Sequence, residues 1–170
     1  MCKQKGFSLI ELLIVVLIIL IIAAIAIPNL LRAKIAANES SAVGSVRTIT
    51  TAETTYASGW GTGYAANLAF LGGTPAACAA GATAVNACIV DPVLAGGGKS
   101  GYAFVAVGNT PQNGVNEGFE INATPFAAGI TGQRAFCGDE SGVIRYNTTG
   151  APIGTAHGTC AAVASLLVGN

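Results

Sequence analysis

The sequence predicts an α+β fold, in which one long helix at the amino terminus is followed by an antiparallel sheet. Two observations carry this prediction. Helical periodicity runs almost unbroken from about residue 7 to residue 58, and short runs rich in β-branched and aromatic residues begin only after residue 101. Because the strands follow the helix rather than alternate with it, a parallel α/β fold is excluded. The length of 170 residues suits one domain with an appendage.

The first half of the helix is an apolar segment long enough to cross a membrane. Between Phe7 and Leu31 the only polar side chains are Ser8, Glu11 and Asn29. Twenty-five helical residues extend about 37 Å, which exceeds the roughly 30 Å of a bilayer core. Secretory signals have shorter apolar regions, although the small residues 23–26 leave signal peptidase cleavage open. A plain signal anchor with its basic leader in the cytoplasm is the other alternative.

The carboxylate of Glu11 is the anomaly in this segment, because an acid in lipid costs about 2.5 kcal/mol or more. It belongs to the run Gly6-Phe7-Ser8-Leu9-Ile10-Glu11, and a second run, Ala23-Ala-Ile-Ala-Ile-Pro28, follows. Together these runs resemble the class III signal of type IV prepilins and of type II secretion pseudopilins.

The resemblance implies three segments and two processing steps. Residues 1–6 would be a leader that prepilin peptidase removes by cutting between Gly6 and Phe7, and Phe7 would then be N-methylated. Residues 7–31 would form the transmembrane and filament-core helix. Residues 32–170 would form a globular pilin head.

Processing would create a cationic amine at Phe7, which gives Glu11 a candidate partner. The two residues stand at an i, i+4 spacing, so the pair can form within one chain. It can also form between Glu11 of one subunit and Phe7 of the next. The sequence leaves both arrangements open, and the resemblance favours the second, with Phe7, Glu11 and Pro28 as assembly residues.

The second half of the helix is predicted to be amphipathic and to end near Ser58, before Gly59. Its apolar positions recur at helical steps: Leu31, Ile35, Ala42, Val46, Ile49 and Tyr56. The charges Arg32, Lys34 and Glu39 are interpreted as solvated or as contacts between subunits. Pro28 is expected to kink the helix. Residues 17–22 contain no glycine, unlike many type IV pilins, so we expect continuous helix there.

The region from residue 59 to residue 101 is rich in Gly, Ala and Thr and is predicted to be a long loop with one short helix. In the pilin fold it corresponds to the αβ-loop. The run Gly96-Gly-Gly-Lys-Ser100 lacks the spacing of a phosphate-binding loop, which excludes that function.

A four-stranded antiparallel sheet is predicted over residues 102–146, and one face of it should pack on the helix. The strands are expected at residues 102–107, 118–123, 133–137 and 143–146. The side chains expected in the core are Phe104, Phe119, Ile121, Phe136 and Ile144. Residues 147–170 form a Gly/Ala-rich carboxy-terminal region, which the resemblance identifies as the D-region.

Four cysteines remain once Cys2 is removed with the leader, and three disulfide connectivities are possible. The pairs Cys78–Cys88 and Cys137–Cys160 close the shortest loops and are the prediction. A zinc site is disfavoured, because no C-x2-C spacing occurs and His157 is the only histidine.

No catalytic group is predicted in the head. A lone histidine in a Gly-rich tail does not make a triad. The carboxylate pairs Asp139–Glu140 and Glu117–Glu120 could form a calcium site, because hard cations need several oxygen ligands, but solvated turn carboxylates are the preferred interpretation. We therefore expect no enzyme activity, no cofactor and no metal. With 9% charged residues, and 8 basic against 8 acidic, nucleic-acid binding is also not expected.

The function that the resemblance implies is that of a structural subunit of a type IV pilus, serving adhesion, twitching motility or DNA uptake. The partners would be identical subunits, prepilin peptidase and the inner-membrane assembly platform. The subunit would wait in the bacterial inner membrane and then enter an extracellular filament. A pseudopilin of type II secretion is the alternative, and a membrane-anchored enzyme or binding module is a third class.

Overall fold

A computed structural model describes residues 6–164 of the chain, so most of the leader and the last six residues of the predicted D-region lie outside it. Within these residues the fold is α+β, as predicted. The first element is a helix of 52 residues, α1 (Leu9–Trp60), against the predicted span of about 7–58. It is helical on both sides of Pro28 and throughout residues 17–22.

The chain divides into two compact units, one up to Lys34 and one from Ile35 onward, and α1 contributes to both. In the described part of the amino-terminal unit, residues 6–8 have no regular secondary structure and the remaining residues are helical. Its large apolar side chains between Phe7 and Leu31 are 46–80% exposed. The second unit, which we call the head, contains the sheet, the loops and the buried core.

The segment after α1 is more ordered than the single short helix that the sequence predicts. It contains three short helices: α2 (Leu68–Leu71), α3 (Pro75–Ala80) and α4 (Pro92–Ala95). Each begins with a side chain that accepts a hydrogen bond from a backbone N–H of the first turn. These caps are Asn67, Thr74 and Asp91. The caps are readable in the sequence, but helices of four to six residues show no periodicity.

The sheet has five antiparallel strands in sequential order, one more than predicted. They are β1 (Gly98–Lys99), β2 (Tyr102–Gln112), β3 (Val115–Pro125), β4 (Ala135–Asp139) and β5 (Arg145–Asn147). The additional strand, β1, has only two residues, in a glycine run that carries no strand signal. Asn113 and Gly114, both with positive φ, form the two-residue turn between β2 and β3.

The five side chains predicted for the core are all buried in the head. They pack with the apolar face of α1, which supplies Ala42, Val46, Ile49 and Tyr56. The helix comes close to β4 at Gly138, where a Cβ would lie 3.0 Å from Cγ1 of Val46. A side chain at this position would therefore push the helix away from the sheet.

Candidate assembly site

The predicted cleavage site lies just outside the helix. Gly6, Phe7 and Ser8 have no helical structure, and α1 begins at Leu9. The side chain of Phe7 is 77% exposed. The bond that the resemblance implies is cut, between Gly6 and Phe7, thus lies in exposed backbone outside the helix.

Glu11 stands in the first turn of α1 and accepts a hydrogen bond from the backbone N–H of Ser8, with 3.3 Å between nitrogen and Oε2. Ser8 directly precedes the helix, and its carbonyl accepts from the N–H of Leu12 at 3.2 Å. This is one half of a capping box, in which an acid at the third helical position satisfies the N–H of the capping residue. The S-x-x-E spacing that signals it is present in the sequence, and Ser8 was missing from the predicted site.

The helix that carries Glu11 is the one helix, among the residues described, with the length and composition to cross a membrane. A signal sequence or the core helix of a soluble protein can meet the same criterion. Here the apolar side chains of the amino-terminal unit are exposed, not packed in a core. A surface this apolar needs lipid or protein to cover it.

Glu39 corrects the interpretation of the helix charges, because it is buried rather than solvated. Its carboxylate accepts hydrogen bonds from the backbone N–H groups of Gln133 and Arg134, at 2.8 and 3.0 Å. It also binds the guanidinium of Arg134 at two nitrogens, at 2.9 and 2.6 Å. Burial raises the pKa of Glu39, but the hydrogen bonds from Arg134 and Gln133 outweigh it and lower the pKa overall.

The guanidinium of Arg134 is held from its other side by aromatic rings. It lies 4.8 Å from the ring centroid of Tyr146 and 5.5 Å from that of Phe136. Both distances are within the range of cation–π attraction. Together with Glu39, these rings attach the start of β4 to α1.

Glu53 is a second buried carboxylate on α1, and it too binds loop backbone. Its Oε2 accepts from the N–H of Ala65 at 2.8 Å, whereas Oε1 has no partner. Burial raises the pKa of Glu53 to about 7, and the hydrogen bond from Ala65 offsets only part of this effect.

Glu120, on β3, holds the carboxy-terminal region against the sheet. Its two oxygens accept from the N–H groups of Gly158 and Cys160, at 2.6 and 3.2 Å. Burial raises the pKa of this carboxyl, and the charges of Asp139 and Glu140 add to the effect. Each oxygen of Glu120 therefore accepts a hydrogen bond from the backbone of the carboxy-terminal region. Over residues 6–164 no group of three or more His, Cys, Asp or Glu residues could hold a metal ion.

Two disulfides complete the head. Cys78 is joined to Cys88 and Cys137 to Cys160, both at 2.01 Å, which are the pairs that close the shortest loops. The second is buried and links β4 to the region that Glu120 also binds. His157 lies exposed in that region, as the sequence indicates.

Residues 1–27 match the family model of the prokaryotic N-terminal methylation motif, the class III signal of type IV pilins and pseudopilins. Comparisons with curated proteins and with solved structures give no match to the chain. The match covers the amino-terminal segment and supports a type IV pilin or a pseudopilin. It also fits a subunit that is anchored in a membrane before assembly.

Proposed function

We propose that this chain is a structural subunit of a type IV pilus, which prepilin peptidase cuts between Gly6 and Phe7 and which polymerises through α1. The observation that carries the proposal is the methylation motif on a helix whose apolar side chains are exposed from Phe7 to Leu31. In the inner membrane lipid covers these side chains. In a filament, the same segment of other subunits replaces the lipid.

The non-helical, exposed backbone at Gly6 and Phe7 supports the processing step. A protease needs an accessible chain outside regular helix, and the bond between these residues precedes the first helical residue by two positions. N-methylation of the new amine would keep its positive charge, so the cation remains available to pair with a carboxylate.

The carboxylate of Glu11 supports the assembly step. Among residues 6–164, its one hydrogen bond comes from the Ser8 N–H and uses Oε2, so Oε1 is open to a cation from another subunit. The amine of Phe7 in a neighbouring subunit would supply that cation at the correct axial register. Apolar contacts between helices would provide most of the packing energy.

The buried charges of the head support a structural rather than a catalytic role. Glu39, Glu53 and Glu120 each bind backbone N–H groups, so each has a structural task. We infer that the head is not an enzyme and forms the surface of the filament. Adhesion, twitching motility or DNA uptake would then be properties of the assembled filament.

The test is electron microscopy of fibres sheared from the cell surface, with mass spectrometry of the subunit in them. We expect long fibres whose subunit begins at an N-methylated Phe7. A subunit confined to short periplasmic assemblies, whose deletion stops protein secretion, would instead identify a pseudopilin of type II secretion. An intact leader, or an amino terminus near Ala26, would contradict both.

A further inference from the structure

The loop between β3 and β4 carries two large apolar side chains that are mostly exposed in the part of the head that the structure describes. Phe126 is 65% exposed and Ile130 is 63% exposed. We call residues 126–131 the 126–131 loop. No charged residue occurs between Phe126 and Gln133, so the loop itself carries no charge.

The loop is rigidly built, which keeps these side chains at the surface. The backbone N–H of Ile130 and that of Thr131 both donate to the carbonyl of Ala127, at 3.1 and 2.9 Å. The hydroxyl of Thr131 accepts from the N–H of Ala127 at 3.1 Å. A loop that closes on itself in this way cannot fold its apolar residues inward without breaking these bonds.

The loop is fastened to the part of α1 that comes first in the head. The side-chain amide of Asn38 donates to the carbonyl of Thr131 at 2.7 Å, and Phe126 donates its N–H to Gly101 at 3.0 Å. Asn38 follows Leu31, the last residue of the apolar segment, by seven residues. Even a fully extended chain of that length reaches only about 25 Å, so the loop stays close to the point where the chain leaves the bilayer.

A bilayer offers such a loop a suitable partner. Its interfacial layer is about 5–7 Å deep on each side and accepts aromatic and aliphatic side chains next to neutral polar groups. The short tether gives a high local concentration of lipid and makes a weak contact effective. A soluble protein partner would have no comparable tether.

We propose that the 126–131 loop binds the lipid interface while the subunit is stored in the membrane, with Phe126 and Ile130 inserted among the headgroups. This inference rests on the proposed function, because it requires the apolar segment to span the bilayer. Extraction into a filament would then have to release the loop from lipid as well as the helix. The head would thus meet the membrane at a defined surface and not hang freely from its tether.

The test places a single tryptophan at chosen positions of the full chain, with Trp60→Phe as the background. Phe126→Trp and Ile130→Trp report on the loop. Val85→Trp is the matched control, because Val85 is 53% exposed and lies next to Ala84, whose carbonyl accepts from Tyr56 near the other end of the helix. Leu17→Trp reports on the apolar segment itself.

Each variant is placed in vesicles of phosphatidylethanolamine and phosphatidylglycerol, with and without bromine on the acyl chains. We expect a blue shift and a loss of emission on bromination for the loop variants, and neither for the Val85 variant. Iodide dissolved in the aqueous phase should quench the emission of the Val85 variant more strongly than that of the loop variants. Intact disulfides in each variant would exclude misfolding as the cause.

The remaining outcomes would overturn the inference. Loss of emission at position 17 combined with equal emission at 126 and 85 would refute the loop contact and leave the proposed function standing. If bromination causes no loss of emission at position 17, both the loop contact and the proposed function are refuted. A shift at position 126 that depends on the ratio of protein to lipid, and not on bromine, would assign the loop to a second copy of the chain.

Discussion

Carboxylates in the two units of this protein meet their hydrogen-bond donors in different ways. In the head, Glu39, Glu53 and Glu120 are buried, and each accepts a hydrogen bond from at least one backbone N–H group that lies 12 or more residues away in the chain. In the amino-terminal unit, Glu11 is exposed and accepts one hydrogen bond from a residue three positions away. The head thus holds loops in place with its acids, whereas Glu11 has capacity left for another molecule.

The buried acids of the head explain how a chain with 9% charged residues stabilises its many loops. Buried backbone N–H groups outside helices and strands need acceptors, and an ionised carboxylate can satisfy two of them. Glu39 and Glu120 do so for the loop before β4 and for the carboxy-terminal region. The price is burial of charge, which raises the pKa of Glu53 and of Glu120.

The largest expected effect is on filament assembly, when the charge of Glu11 is removed and its hydrogen bond is kept. Glu11→Gln retains an oxygen for the Ser8 N–H but cannot pair with a cation, whereas Glu11→Ala loses both. Loss of a buried ion pair costs about 3–5 kcal/mol, so we expect both variants to lose most fibres. Counts of fibres in electron micrographs measure this loss, and the thermal stability of the head should not change.

A result in which Glu11→Gln assembles normally and Glu11→Ala does not would mean that helix capping, and not charge pairing, is the role of Glu11. Ser8→Ala is the companion variant, because it keeps the backbone N–H and tests only the hydroxyl.

The second prediction concerns Glu53 and pH. Its folded pKa of about 7 lies above the ordinary value of 4.5. The folded state therefore binds the proton more tightly, and stability is lost as the pH rises from 4.5 to about 7. The free energy of unfolding falls by about 3 kcal/mol over this range. Glu53→Gln should remove this dependence on pH. The variant should be more stable than the wild type at pH 8 and differ little from it at pH 4.

Denaturant unfolding at the two pH values measures this effect. Glu117→Gln, at an exposed position on β3, is the matched control and should leave the pH profile unchanged. If the stability of the Glu53→Gln variant changes with pH as much as that of the wild type, another group causes the change.

The third prediction concerns Glu39, whose replacement removes an acceptor shared by two backbone N–H groups and by Arg134. The side chain of Arg134 is 39% exposed and can rehydrate, so we expect Glu39→Ala to cost about 2 kcal/mol. Because the pKa of Glu39 is lowered in the folded state, its contribution is present above pH 4.5 and is lost at more acid pH.

Thermal unfolding at pH 7 and at pH 3 checks both the size and the direction of this effect. Glu117→Ala should be neutral at both. An equal cost of Glu39→Ala at pH 3 and at pH 7 would mean that packing, and not charge, explains the loss.

The smallest expected effect is at Glu120, because the disulfide between Cys137 and Cys160 holds the same region. Glu120→Gln keeps one carbonyl oxygen for two N–H donors and should cost about 1 kcal/mol. Faster hydrogen exchange at the amides of Gly158 and Cys160 would report the loss directly. Unchanged exchange at both amides would mean that the disulfide alone holds the region.

Some features of the fold follow from local patterns that can be read in the sequence. The period of α1, the alternation in β2 and β3, and the glycine-rich loops are such patterns, and they predicted the fold class and the five core side chains. The two-residue strand β1 and the short helices of the loop were missed or undercounted, because each is too short to show a period. The capping contact from the Ser8 N–H to Glu11 is also a local pattern, because the S-x-x-E spacing signals it.

By itself, the sequence determined the methylation motif at residues 1–27, the apolar helix that follows it and the outlier Glu11, because these depend on neighbours along the chain. Only the tertiary structure decided where the charges of the head lie. Glu39 lies near the start of the head and Gln133 lies just before β4, so the two residues that meet are 94 positions apart in the sequence. Nothing local distinguishes an acid that will be buried against a distant loop from one that will face water.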